Sequence, residues 1–287
     1  MQDFLLYTTN GLLLGVIYAL SALGVSLIVG IMNVINFSHG ELYVLAGYFS
    51  ALFARGLGLP VTLAALLAVI MVFIFGLILE RVLLRNTYGN DMASLIITFV
   101  LSIVLQNAYL LIFGPYPQKP PGWVTGSTHL FGLFYYGNQR LAALGVGAVV
   151  IAALFVVIKK TWFGKTVRAV AQDREMAAML GVNPTMVNML SFGTGCALAA
   201  AAGVILSPIF PVTPTVSVGV SLTAFIVVVL GGMGSLTGCV VGGLVLGLVQ
   251  NLGAAYVSSG YKHFFGFFIL LLVLVVRPTG LFGQKQL

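Results

Sequence analysis

Apolar stretches alternate with short polar interruptions along nearly the whole chain. Because about 20 helical residues cross a hydrocarbon core of about 30 Å, the pattern predicts membrane helices. Two stretches, Gly40–Ala54 and Ser221–Gly231, are short and predict helices that are broken or enter the membrane only part-way. The longer stretches are Asn10–Gly30, Leu59–Leu79, Met92–Phe113, Leu141–Ile158, Pro184–Leu206, Cys239–Tyr256 and Phe264–Val276. We therefore predict an all-α, polytopic membrane protein with about eight or nine transmembrane helices in a single domain spanning residues 1–287.

Composition supports a membrane protein and excludes other classes. Hydrophobic residues make up 60% of the 287-residue chain and charged residues only 7%, against about 25% charged in soluble domains. An outer-membrane barrel would show short alternating strands instead. The net charge of +7 is scattered over helix ends and loops, which argues against nucleic-acid binding. Cys196 and Cys239 lie in apolar stretches without CxxC spacing and are interpreted as small buried hydrophobes.

The basic residues predict the orientation. No basic segment precedes the first apolar stretch, which is therefore expected to be a retained helix and not a signal peptide. If the polar segment Lys159–Asn183 is cytoplasmic, strict alternation places nine basic residues inside and four outside, as the positive-inside rule requires. If Gly40–Ala54 only dips into the membrane, the N-terminus moves to the cytoplasm instead. The inner set is Arg81, Arg85, Lys159, Lys160, Lys165, Arg168, Arg174, Arg277 and Lys285, and the outer set is Arg55, Lys119, Arg140 and Lys262.

The segment Lys159–Asn183 contains a predicted short helix, Arg174–Leu180. Asp173 can cap its start, Glu175 suits the positive end of the helix dipole, and Gly181 is a typical C-terminal stop. Seven residues do not form a stable helix alone in water, so this helix must dock on something. It could dock in a groove of a partner, or lie on lipid as an interfacial helix. Its apolar stripe consists of Met176, Met179 and Leu180.

A second polar segment, Gly114–Asn138, is rich in proline and aromatic residues. It predicts an ordered extracytoplasmic loop at the membrane surface.

Polar residues within apolar stretches mark a candidate translocation path. The sequence Ser38-His39-Gly40-Glu41 fits a capping box, in which the Ser38 side chain caps the helix and the Glu41 side chain bonds back to the backbone N–H of Ser38. Alternatively, Asn36, Ser38, His39 and Glu41 line the path. Unpaired amides in apolar helices are costly, so each must find an interhelical partner, which we favour, or face a watery cavity. The amides are Gln106, Asn107, Gln250 and Asn251.

The glycine clusters between Gly231 and Gly243 indicate a broken helix or close packing, not phosphate binding. They lack the Lys-Ser/Thr of a P-loop, so this chain is not expected to bind ATP itself. The chain also lacks HExxH and GxSxG motifs, and its three histidines are far apart in sequence. We therefore expect neither an enzyme, nor a metal site, nor a bound cofactor. The clustered glycines are Gly231, Gly232, Gly234, Gly238, Gly242 and Gly243.

Four motifs together resemble the branched-chain amino acid permease family of ABC importers. RAVAQDREMAAMLGVN at Arg168–Asn183 is similar to the cytoplasmic coupling loop of these permeases. The others are INFSHGELYVLAGY at Ile35–Tyr48, LGGMGSLTGCVVGG at Leu230–Gly243 and RPTGLFG at Arg277–Gly283. The four motifs are spread along the chain from Ile35 to Gly283, so the resemblance covers nearly its whole length. Ser38 and Cys239 stand where the family commonly has another small residue.

The resemblance implies a permease subunit in the bacterial inner membrane with its coupling loop and C-terminus cytoplasmic. Implied partners are a second permease subunit or a second copy, two ATPase subunits that hold ATP and Mg²⁺, and an extracytoplasmic solute-binding protein. ATPase coupling would fall to Arg168, Asp173, Arg174, Glu175, Met176, Met179, Leu180 and Gly181. Substrates would be branched-chain or other small apolar amino acids, although similar permeases carry urea or short amides. A stand-alone carrier or channel is the alternative from another class.

Overall fold

The structure is a computed structural model that describes residues 2–130 and 134–283. Its helices in chain order are α1 (Gln2–Met32), α2 (His39–Ala51), α3 (Val61–Leu79), α4 (Asp91–Phe113), α5 (Asn138–Lys160), α6 (Trp162–Gln172), α7 (Arg174–Met179), α8 (Pro184–Leu206), α9 (Val216–Gly231), α10 (Leu236–Tyr256) and α11 (Lys262–Val276). Strands β1 (Ser127–Leu130) and β2 (Phe134–Gly137) form an antiparallel hairpin between α4 and α5. One π-helical turn, Leu52–Gly56, extends α2, and another, Glu80–Leu84, extends α3.

The predicted all-α polytopic fold is confirmed. Within the described residues, seven helical segments are long and apolar enough to cross a membrane, and α9 is a shorter apolar helix. Some predicted boundaries are wrong. The first helix begins at Gln2 and not at Asn10, because residues 2–9, which mix polar and apolar side chains, continue the helix beyond the apolar stretch. The short helix α9 begins at Val216 and not at Ser221.

Helices α1 and α8 form the centre of the bundle, and small residues allow α1 and α10 to pack closely. These two helices run antiparallel along their length. A Cβ at Gly243 would lie 2.6 Å from Ala19 N, and a Cβ at Gly15 would lie 2.8 Å from Leu244 Cα. Backbone-to-backbone contact of this kind is typical of membrane helices, whose association depends on close van der Waals packing.

The N-terminus of α1 and the polar segment Lys159–Asn183 lie at opposite ends of the bundle. Near the start of α1, Asn10 Oδ1 accepts hydrogen bonds from Tyr136 of the hairpin, at 3.1 Å, and from Arg140 at the start of α5, at 2.9 Å. At the other end, Gly30 and Val167 line one common cavity, so the end of α1 lies beside α6. The start of α1 and helix α6 therefore lie at opposite ends of the bundle.

The loop before α5 is ordered by contacts with the rest of the chain. Gln118 and Val212 exchange backbone hydrogen bonds of 2.9 and 2.8 Å, which join this loop to the segment between α8 and α9. Gln139 Oε1 accepts from the backbone N–H groups of Trp123 and Val124, at 2.8 and 3.1 Å. The hairpin was not predicted from the sequence.

Candidate functional site

The polar segment forms two helices, where the sequence predicted one. Before α7 lies α6, whose capping residue Thr161 accepts from the N–H of Gly164 at 3.3 Å. Val167 and Val170 of α6 are buried. Arg168 lies on α6 and not on α7, and its guanidinium donates to the Ile158 carbonyl near the end of α5. It therefore ties α6 to a membrane helix.

Helix α7 is held by caps at both ends. Asp173 Oδ1 accepts from the N–H of Met176 at 2.9 Å, as predicted. At the other end the N–H of Val182 bonds to the Ala177 carbonyl and that of Gly181 to the Ala178 carbonyl, at 3.1 and 3.0 Å. Gly181 has φ +84°, so this is a Schellman motif with glycine in its left-handed position. The caps fix a short helix that has little intrinsic stability.

One side of α7 faces the protein and the rest is exposed. Ala177 is buried, while Met176, Met179 and Leu180 are 54%, 80% and 78% exposed. Glu175 is exposed as well. Within the described part of the chain, nothing covers this apolar stripe.

A polar chain of contacts leads from α7 to the end of α3. The Arg174 guanidinium lies 5.3 Å from the centre of the Tyr88 ring, a cation–π geometry. The Tyr88 hydroxyl donates to Glu80 Oε1. Glu80 is only 1% exposed, and Asn188 of α8 is also buried. Glu80 closed an apolar stretch in the sequence, but no local signal identified Tyr88 as its partner.

In the interior of the bundle, α2 and α9 begin close together and run in opposite directions. The N–H of Gly40 donates to Ser221 Oγ at 2.9 Å, and Ser221 Oγ donates to the Phe37 carbonyl at 3.3 Å. His39 Nε2 donates to the carbonyl of Ser21, inside α1, at 3.0 Å. We call the meeting point of these two helix starts the central junction.

The central junction contains the four polar residues that the sequence marked around the start of α2. Asn36, Ser38, His39 and Glu41 are all at most 1% exposed. Burial at this level places them in the interior of the described chain.

The predicted capping box is wrong. The Ser38 side chain makes no cap hydrogen bond and donates instead to Asn36 Oδ1 at 2.7 Å. Glu41 Oε1 accepts from Ser102 of α4 at 3.1 Å. Ser38 therefore bonds to a neighbour two residues earlier and Glu41 to a distant serine, instead of to each other. Ser102 and Ser221 were not identified from the sequence.

The four amides have different environments. Asn251 Nδ2 donates across to the Tyr7 carbonyl of α1 at 2.5 Å, and Gln106 Nε2 to the Pro214 carbonyl at 3.4 Å. Asn107 is exposed and bonds the Ile103 carbonyl of its own helix at 2.8 Å, so interhelical pairing is wrong for it. Gln250 is buried, and neither of its polar side-chain atoms has a hydrogen-bond partner among the described residues.

The glycine clusters lie where α9 ends and α10 begins. Gly232 and Gly234 have φ +102° and +79°, in the break between these helices. A Cβ at Gly242 would lie 3.1 Å from the Val227 carbonyl, so Gly242 lets α10 pack against α9. Gly231 and Gly238 pack backbone to backbone across the break. Within the described residues no cluster of three or more potential metal ligands occurs.

Comparison with known proteins agrees with this architecture. The family model described as "Branched-chain amino acid transport system / permease component" matches residues 7–276. The high-affinity branched-chain amino acid transport system permease protein LivH of Salmonella typhimurium is 36% identical over 99% of this chain and 96% of that protein. BraD of Pseudomonas aeruginosa, described in the same words, is 35% identical over 100% of this chain and 98% of that protein.

More distant relatives extend the comparison. The permease protein LivM of Escherichia coli is 26% identical, covering 95% of this chain and 69% of that protein. A solved structure, PsaBC from Streptococcus pneumoniae in complex with Fab, has a TM-score of 0.51 at 13% identity, covering 95% of this chain and 92% of that chain. This last likeness is one of fold.

Helical topology and similarity together define a multi-pass membrane permease. The chain belongs to the branched-chain amino acid transport permease family.

Proposed function

We propose that this chain is a transmembrane subunit of an ATP-driven ABC importer for branched-chain and other small apolar amino acids. It lies in the bacterial inner membrane with α6, α7 and the C-terminus in the cytoplasm. Two ATPase subunits hold ATP and Mg²⁺, and an extracytoplasmic binding protein delivers the solute. The names of LivH and BraD support the substrate class. The similarity to LivM, a related permease of the same kind of system, supports pairing with a homologous second permease subunit.

The exposed stripe of α7 is the observation that carries the coupling role. A helix of six residues with hydrogen-bonded caps at both ends presents Met176, Met179 and Leu180 to solvent. Exposed apolar groups at helical spacing suit a groove in a partner protein.

Motion of α7 has two routes into the membrane helices. The first runs along the chain, through α6 into α5 and directly into α8. The second runs through space, from Arg174 to Tyr88 and from the Tyr88 hydroxyl to Glu80 at the end of α3. Coupling requires that α7 take different positions in the two states of the ATPase subunits. Arg174, Tyr88 and Glu80 act here as positioning residues.

Uptake measurements test the substrate class. The cognate binding protein is screened with leucine, isoleucine, valine, urea and short amides, and the ligand that binds is then offered to vesicles that contain the full complex. We expect leucine-type ligands to bind and to be taken up only when ATP is present inside. Binding of urea or an amide alone would contradict the substrate class, and uptake without ATPase subunits would favour a stand-alone carrier.

A substitution in α7 tests coupling. Met179→Asp places a charge in the proposed interface, and we expect uptake to fall by roughly tenfold or more, since an unpaired interfacial charge costs over ~1.4 kcal/mol. Because Met179 is solvent-exposed, membrane insertion and thermal stability should not change. Met179→Leu keeps the apolar surface and is the matched control. Normal uptake by the aspartate variant would refute docking through this stripe.

A further inference from the structure

A cavity of about 520 Å³ opens between α1, α9, α11 and the segment that precedes α9. Small-molecule sites usually measure about 300–1,000 Å³, so the volume suits an amino acid with some water. The cavity lies within one chain and shares no residue with α6 or α7. Most of its wall is apolar, from Leu14, Ile17, Leu206, Val216, Val220 and Ala224.

The polar groups of this cavity are unevenly distributed. Lys262 and His263, from the first turn of α11, contribute to its lining. No side chain caps the start of α11, and the positive end of its helix dipole adds positive potential there. The residues that line the cavity include no acid. This part of the cavity therefore favours an anionic group such as a carboxylate.

Ser21 marks the inner end of the cavity. Its side chain is only 4% exposed, and its Oγ has no hydrogen-bond partner among the described residues. Its carbonyl accepts the His39 hydrogen bond, so the cavity ends against the central junction. A rearrangement of the starts of α2 and α9 would change this inner end.

We propose that this cavity is a transit site for a zwitterionic amino acid with an aliphatic side chain. The carboxylate pairs with Lys262, and the side chain packs against the apolar wall formed by Ile17, Val216 and Val220. Hydroxyl oxygens of Tyr18 and Thr223, which also line the cavity, can accept from the ammonium group. The site rests on the proposed function and places part of the path inside this chain.

A matched pair of substitutions on α9 tests the site. Val220 lines the cavity, whereas Leu222, two residues further, does not and is exposed on the outside of the chain. In vesicles with the full complex, Val220→Phe should lower leucine uptake about tenfold and alanine uptake less, because apolar pockets discriminate by size. Leu222→Phe should change neither. Equal effects of the two variants, or a loss independent of substrate size, would overturn the proposal.

Chemical labelling tests the site without relying on transport rates. Both natural cysteines are fully buried, so Val216→Cys supplies an accessible thiol in the cavity wall. In the full complex that carries Val216→Cys, we expect leucine, but not aspartate, to slow the reaction of this cysteine with a thiol reagent. Labelling at the same rate with and without leucine would overturn the proposal. A cysteine that does not react at all, because a lipid chain fills the cavity, would overturn it as well.

Lys262 variants test the carboxylate contact. Lys262→Gln should lower leucine uptake several-fold, and Lys262→Arg should restore most of it, because the positive charge is kept. Identical uptake by both variants and the parent protein would overturn the proposed contact between Lys262 and the carboxylate.

The proposed function and the transit site fail in different experiments. A parent complex without ATP-dependent uptake refutes the proposed function, whereas normal uptake that is unaffected by Val220→Phe and Lys262→Gln refutes only the transit site.

Discussion

Helix α7 and the central junction are both built from short polar motifs next to apolar helices, yet their surroundings are opposite. The apolar stripe of α7 is exposed and the helix depends on its own caps. At the central junction, Asn36, His39 and Glu41 are completely or almost completely buried, and the side chains of His39 and Glu41 bond to residues far away in the chain. Substitutions in α7 should therefore impair coupling while the protein remains folded. Substitutions at the junction should impair folding first.

The largest expected effect is that of Gly40→Ala at the central junction. The added Cβ would come within 2.5 Å of Ser221 Oγ and also against the Ser217 carbonyl, so α2 and α9 would have to separate. Overpacking of this kind costs about 3 kcal/mol. We expect a lower unfolding temperature in detergent and less folded protein in the membrane.

Gly145→Ala is the control for that substitution. Gly145 lies on exposed helix α5 with no atom near the position of a Cβ, and alanine is the better helix former. The stability of the Gly145→Ala variant should therefore equal or exceed that of the parent protein. If the two alanine variants were equally stable, close packing would not hold the junction together.

An intermediate effect is expected for Tyr88→Phe, which joins the two regions of the comparison. It removes the hydroxyl that donates to buried Glu80 but keeps the ring beneath Arg174. A buried acceptor left without its donor costs about 1–3 kcal/mol. We expect reduced stability together with a lower ratio of solute transported to ATP hydrolysed.

The double variant Tyr88→Phe with Glu80→Gln separates stability from coupling. The amide removes a buried carboxyl group that lacks its donor, and so should recover part of the stability. Coupling should not recover, because the contact between Tyr88 and the end of α3 is still missing. Full recovery of transport per ATP would show that this contact acts only on stability.

The same contrast explains which features the sequence could predict. Apolar length located the membrane helices, and for α8 both predicted ends are correct, because Asn183 and Pro184 form a clear helix start. The roles of Asp173 and Gly181 as helix caps could be predicted for the same reason, since a cap depends on residues within one turn. Helix α6 was missed, although buried Val167 and Val170 have helical spacing.

The central junction could not be predicted from a local pattern. Gly40 and Ser221 are 181 residues apart in sequence, and Glu41 and Ser102 are 61 apart. The S-x-x-E pattern at Ser38 matched a capping box, but it does not reveal that Ser38 bonds to Asn36 and Glu41 to Ser102 instead. Deciding between these partners requires the packing of α2 against α4 and α9.

The smallest expected effect is that of Gly181→Ala, which tests whether conformation alone controls α7. Gly181 has φ +84° and no atom within 4 Å of an added Cβ, so the cost is backbone strain of about 1–2 kcal/mol without a clash. Gly137 also has an open Cβ position but a φ of −64°, so Gly137→Ala is the matched control. We expect hydrogen exchange at Val182 to quicken and uptake per ATP to fall only in the Gly181 variant. Unchanged exchange there would mean that the Schellman motif does not hold α7, and the C-terminal cap would then not explain how so short a helix forms.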